Sequence, residues 1–164
     1  MNLIDKFNKL NKPKFISIFG NIFEKTEWVA ERCYESKPYN NLDELVSKMM
    51  KIFENIEKEG HLEILNSHPD LAVEKKLTED SKNEQKNASL NQCTDEEFVE
   101  FKKLNEEYKK KFGFPFIIAV KGKNKEEILN SFRQRITNNI NSEFEEAKKQ
   151  VMKIASFRLS EIIK

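Results

Sequence analysis

Leu42, Leu45, Val46, Met49, Met50, Phe53 and Ile56 recur at intervals of three and four residues. That spacing puts all seven side chains on one face of an α-helix and commits the segment to burying that face. The same period returns along most of the 164 residues. Leu3, Phe7 and Leu10 mark a short first helix stopped near Pro13, and Phe15, Ile18, Phe19 and Ile22 extend the stripe, with Gly20 placed to end it. Thr26 is a candidate cap for a helix carrying Trp28, Val29, Arg32 and Cys33, and Gly60 a candidate stop for the helix that begins at Leu42. Only four glycines and four prolines punctuate the chain, too few for a hairpin-rich fold. The expectation is one all-α, multi-helix domain over residues 1–164.

A short helix from about His61 to Ser67 leads into His68-Pro69-Asp70-Leu71-Ala72. Proline disfavours helical geometry in the residue before it, so His68 falls where a helix breaks. Such a histidine titrates near neutral pH and lies beside helix-end carbonyls, which makes it the first candidate for acid–base chemistry. A plain alternative is a helix-ending histidine bonded to nearby backbone. His61, seven residues earlier, lies on the same face, but no third ligand at a useful spacing completes a metal site.

The polar stretch from Val73 to Asp80 reads as a loop. Ser81-Lys82-Asn83-Glu84 has the S-x-x-E form of a capping box and predicts the start of the next helix, with Glu84 fixed near a helix N-terminus. Thr94-Asp95-Glu96-Glu97 repeats the form before a long helix with Phe98, Phe101, Asn105, Tyr108 and Phe112 along one side. Phe114 to Val120 follows, the most apolar window in the chain. Its flanking glycines, proline and β-branched residues predict extended chain. A single strand has no partner, so its backbone groups must be met by something else, a ligand being one candidate. Ile128, Leu129, Phe132 and Ile136 mark another helix, and a last one runs from about Asn141 to Ile163. Arg158 falls inside the apolar stripe of that last helix. Either an acidic side chain meets it, or it faces a cavity that accepts an anion, or its head reaches solvent near the helix end.

Several function classes are disfavoured. Lys and Arg number 29 against 28 Asp and Glu, so no basic excess points to nucleic acid. Cys33 and Cys93 form no disulfide framework or metal spacing. Gly-rich phosphate loops and nucleophile elbows are absent from the sequence. No run of about 18 apolar residues suggests a membrane span. With no signal peptide and no usual peroxisomal tripeptide in Ile162-Ile163-Lys164, a cytoplasmic location is expected.

Taken in order, these pieces resemble one family. Phe19-Gly20-Asn21-Ile22-Phe23-Glu24 with Trp28-Val29-Ala30, His68-Pro69-Asp70-Leu71-Ala72, Ser81-x-x-Glu84-Gln85-x-x-Ala88-x-Leu90, Phe112-Gly113-Phe114-Pro115-Phe116, Arg135-x-x-Asn138 and Ile154-Ala155-x-x-x-Arg158-Leu159 are similar to the motifs of 2-oxo-4-hydroxy-4-carboxy-5-ureidoimidazoline (OHCU) decarboxylases. The resemblance implies an all-helical enzyme, commonly a homodimer, that uses no metal or organic cofactor. It converts a small ureidoimidazoline acid to (S)-allantoin and CO2 in urate degradation. It also implies His68 and Glu84 as catalytic residues. Pro69, Ser81, Lys82, Asn83, Glu84, Gln85, Phe116, Ile117, Ile118, Ala119, Val120 and Arg158 are the implied substrate contacts. Ser89 stands where the family usually has glycine. A relative repurposed as a helical interaction module, or acting on another ureide-like acid, is the competing expectation.

Overall fold

The computed structural model describes residues 1–72 and 78–164; most of the Val73–Asp80 stretch expected to be a loop lies outside them. The regular secondary structure of the described residues is all helical, with no strand among them. Among these residues nine α-helices follow in order: α1 Leu3–Lys9, α2 Lys12–Phe19, α3 Trp28–Glu35, α4 Leu42–Asn55, α5 Lys58–Ser67, α6 Glu79–Asn87, α7 Asp95–Phe112, α8 Lys125–Arg135 and α9 Ile140–Ile163. The chain packs as two compact units. One holds Met1–Ser67 with Met152–Lys164, the other His68–Val151.

In the first unit, α4 buries Leu45, Met49 and Phe53, one residue per turn, with Val46 and Met50 half-buried beside them. Asn41 opens the helix by accepting the Glu44 amide, and two acidic residues in the first turn complement the helix dipole. Phe53 stacks on Phe23, centroids 5.0 Å apart, and receives the edge of His61 at 4.9 Å. Burying one such aromatic stabilises the unit by about 1.5–3 kcal/mol. Phe15, Phe19 and Phe23 are core side chains here, not an exposed apolar face.

Three sequence-based expectations in this unit change. Pro13 stands in the first turn of α2 rather than only stopping α1, because an N-terminal position needs no amide hydrogen. The Thr26 hydroxyl donates to the Phe23 carbonyl and does not cap α3. Gly60 lies inside α5, and α4 ends earlier, at Asn55.

In the second unit, α7 opens with the complete capping box that Thr94 and Glu97 predict. It closes at Gly113, whose φ of 82° only glycine adopts without strain. That turn releases the chain into the extended run 114–120, every residue of which is buried. Ser89 follows α6 with φ 63° and ψ 19°, a left-handed conformation that accounts for a glycine preference at this position.

Candidate active site

His68 is the first residue after α5, as the proline beside it predicts, and its imidazole is buried. The loop it begins is anchored at three consecutive residues. Lys109 pairs with the Asp70 carboxylate at 2.7 Å. Asn105 donates from Nδ2 to the Leu71 carbonyl at 3.0 Å. Gln85 accepts the Ala72 amide on Oε1 at 3.1 Å and donates from Nε2 to the Asp70 carbonyl at 3.3 Å. Ala72 is held at φ 53°, a left-handed conformation unusual for a residue with a β-carbon. Pro69, half-buried, stiffens the backbone between His68 and these anchors.

Gln85 is therefore oriented by the loop itself, and one of its two Nε2 hydrogens remains for other partners. Ser81, one turn earlier on α6, is buried with it. Glu84 is half-buried, while Lys82 and Asn83 are exposed. The helix does not start at Ser81. Thr78 is the cap, its hydroxyl accepting the Ser81 amide at 3.2 Å, with Glu79 and Asp80 forming an acidic first turn. A threonine followed by two carboxylates satisfies the helix start three residues earlier than the S-x-x-E pattern does. Glu84 thus sits inside α6, and the Lys82 amide is already bonded to the Thr78 carbonyl. Side chains, rather than helix-start amides, are what residues 82–85 can offer a ligand.

The extended run is positioned by side chains from two helices. Arg135 donates from Nη1 to the Ile117 carbonyl at 2.7 Å, and Gln150 accepts the Ala119 amide on Oε1 at 2.9 Å. The Phe116 ring stacks on Phe132 at 3.9 Å and lies under the Arg135 guanidinium at 4.4 Å, so Phe116 presents its backbone rather than its side chain. Among the described residues the backbone groups of Phe116 and Ile118 make no hydrogen bond. The run and the His68 loop pack on the same helix. Asn105 of α7 holds Leu71, and Tyr108, three residues on, sets its ring against Phe116 at 5.4 Å.

Sequence reasoning missed the buried polar framework behind these parts. Glu143 has no exposed surface and accepts Arg135 through Nε and Nη2, Asn138 through Nδ2, and the Tyr108 hydroxyl. Burial, and then the hydrogen bond to Glu143, pushes the Tyr108 phenol well above its usual pKa. Its only sequence signal is a polar residue at an apolar-face position, as at Asn105. Asn105 has one further property. With Nδ2 fixed on Leu71, its Oδ1 is buried and has no hydrogen-bond partner among the described residues. The Nδ2 bond stabilises by about 0.5–1.5 kcal/mol, while an unmet buried acceptor costs about 1–3 kcal/mol. Stability alone does not account for an asparagine here.

Arg158 lies in the other unit, and of the alternatives open to it, the acidic partner is the one observed. Its Nη2 meets Glu24 at 2.7 Å and its Nη1 donates to the Asn21 carbonyl at 2.7 Å. Both charged side chains are buried. His61 accounts for itself in the core, its Nε2 lying 2.7 Å from the Phe53 carbonyl. Among the described residues, no three His, Cys, Asp or Glu side chains are grouped to hold a metal ion. None of the described helices is long and apolar enough to cross a membrane.

Comparison with known proteins is specific. Residues 8–160 match the OHCU decarboxylase family. Over all 164 residues the chain is 40% identical to the uric acid degradation bifunctional protein of a Bacillus species, and it spans only 33% of that protein's length. It is 37% identical over 158 residues to the 2-oxo-4-hydroxy-4-carboxy-5-ureidoimidazoline decarboxylase of Haloferax volcanii, covering 96% of this chain and 94% of that one. A crystal structure of OHCU decarboxylase in the presence of (S)-allantoin superposes with a TM-score of 0.74 at 25% identity, covering 93% of this chain and 99% of that one. On these grounds the chain belongs to the OHCU decarboxylase family.

Proposed function

We propose that residues 1–164 act as one catalytic domain that decarboxylates OHCU to (S)-allantoin. The observation that carries this most directly is the anchored loop. A buried histidine is held by its own backbone beside a helix face of hydrogen-bonding side chains. The substrate's carboxylate lies one carbon from an imine. When the C–COO⁻ bond breaks, its electron pair passes into that imine, CO2 leaves, and the resulting enol-like intermediate takes one proton at carbon. The substrate supplies its own electron sink, so the reaction is written without a cofactor.

His68 delivers that proton to one face and is reprotonated from solvent. Glu84 fixes the substrate hydroxyl and orients the imidazole, while Ser81 and the remaining Nε2 hydrogen of Gln85 hold ring or ureido groups. Pro69 keeps the imidazole's approach fixed. Lys82 and Asn83 border the site from the exposed side of α6. The backbone of Phe116 to Val120 pairs with the amide-rich ring, which suits the buried peptide groups of Phe116 and Ile118 that make no bond among the described residues. Arg158 is assigned to the substrate carboxylate, with Glu24 holding the guanidinium in place. Rate gain comes chiefly from orientation and fixed dipoles. A homodimer, on the strength of the family resemblance, and the cytoplasmic location expected from the sequence complete the proposal.

Freshly generated OHCU tests this directly. Wild-type protein is expected to speed the loss of substrate absorbance and to produce the circular dichroism of (S)-allantoin. His68→Ala and Glu84→Ala are each expected to lose most of that activity with the helical spectrum intact. Full activity in either variant overturns its assignment, and no turnover by wild type overturns the function. Light scattering decides the oligomeric state.

A further inference from the structure

We propose that Asn105 is a positioning residue for His68, acting through the loop that carries it; the proposal rests on the decarboxylase assignment of His68. Side-chain hydrogen bonds and an ion pair from Gln85, Asn105 and Lys109 reach residues 70–72. Lys109 holds Asp70 from a half-exposed position, where solvent weakens the pair. Gln85 is assigned to the substrate as well as to the loop. Asn105 is buried as Gln85 is, but beyond the Leu71 carbonyl it has no other partner among the described residues.

The amide orientation is set by its surroundings, since a flipped Asn105 would point its oxygen at the Leu71 carbonyl. Held this way, Nδ2 fixes the Leu71 peptide just before Ala72 enters its left-handed conformation. That conformation is accessible to alanine only under constraint. Replacing Asn105 with leucine, of similar size, exchanges one unmet buried acceptor, Oδ1, for another, the Leu71 carbonyl. Fold stability is therefore expected to change little, while the loop loses the buried tether at Leu71. A histidine displaced by even about 1 Å loses on the order of 10²-fold in rate.

The test uses the purified 164-residue chain with two uncharged variants, Asn105→Leu and Asn105→Val, neither of which can donate to the Leu71 carbonyl. Both are expected to lower kcat by roughly 10- to 100-fold, to leave KM within about 2-fold, and to keep the thermal midpoint near wild type. The 15N signals of the His68 ring, recorded without substrate, are expected to shift in both. A kcat within about 2-fold of wild type, unmoved His68 signals, or a rate loss that merely follows the unfolded fraction overturns the proposal. Failure of both variants to fold makes Asn105 structural and overturns it equally. If wild type turns over no OHCU, the decarboxylase assignment fails. The ring signals still decide whether Asn105 sets the histidine.

Discussion

Arg135 donates from Nη1 to the Ile117 carbonyl at 2.7 Å while its Nη2 closes on Glu143 at 2.9 Å. One guanidinium thus ties an extended backbone segment to the wholly buried Glu143 carboxylate. A lysine keeps the charge but presents a single nitrogen, which cannot serve the carbonyl and the carboxylate in the same geometry. Arg135→Lys is expected to fold, with stability lowered by about 1–2 kcal/mol and KM for OHCU raised several-fold. Urea denaturation and steady-state kinetics on the same sample check both. An unchanged KM would show that the Ile117 backbone does not meet the substrate.

Glu24 and Arg158 form the corresponding buried pair in the other unit. Removing only Glu24 strands a buried cation, so Glu24→Ala is expected to destabilise the fold by about 3–5 kcal/mol. The double change Glu24→Leu with Arg158→Met removes both charges and is expected to recover most of that loss. In the recovered protein, OHCU binding is expected to weaken by at least about 10-fold, as one charge-assisted contact is lost. Wild-type KM in the double variant would sink the role of Arg158 at the substrate.

Ser89 holds a left-handed conformation at the end of α6. That conformation costs a residue with a β-carbon about 1–2 kcal/mol, and glycine's freer unfolded chain offsets only about 0.4–1 kcal/mol of the relief. Ser89→Gly is therefore expected to raise stability by roughly 0.5–1 kcal/mol, with catalysis retained. A shift of the urea midpoint to higher concentration, at constant slope, is the confirming result.

Cys33 is buried, and burial raises its thiol pKa to about 11. The folded state thus disfavours the thiolate more than the unfolded chain does. The resulting stability is fully present below pH 9, near which the unfolded thiol titrates, and is lost between pH 9 and about 11. Over that window the loss is on the order of 3 kcal/mol. Cys33→Ala is expected to flatten the decline of the melting midpoint above pH 9, and Cys33 should react slowly with alkylating reagents at pH 8. An equally steep decline in the variant would assign the alkaline loss to Tyr39 and Tyr108, whose buried phenols are also shifted upward.

Helix positions, the break before His68, the box at Thr94 and the extended run after Gly113 were legible from residues alone, because each depends on neighbours within about four positions. The same locality explains the misplaced start of α6. Two overlapping capping patterns, Thr78 to Ser81 and Ser81 to Glu84, compete there, and the one with the acidic first turn prevails.

Partnership between distant residues is a different matter. Arg158 stood out because a charge lay in an apolar stripe, yet its neighbours Asn21 and Glu24 stand 137 and 134 positions away. Asn105 lies 34 positions from the carbonyl it holds, and Gln85 is turned toward the His68 loop by backbone 13 and 15 positions earlier. Periodicity says which face is buried but not what lies opposite it. A buried charge or amide takes whichever partner the packed helices bring within hydrogen-bond reach, and that geometry exists only once the chain has folded.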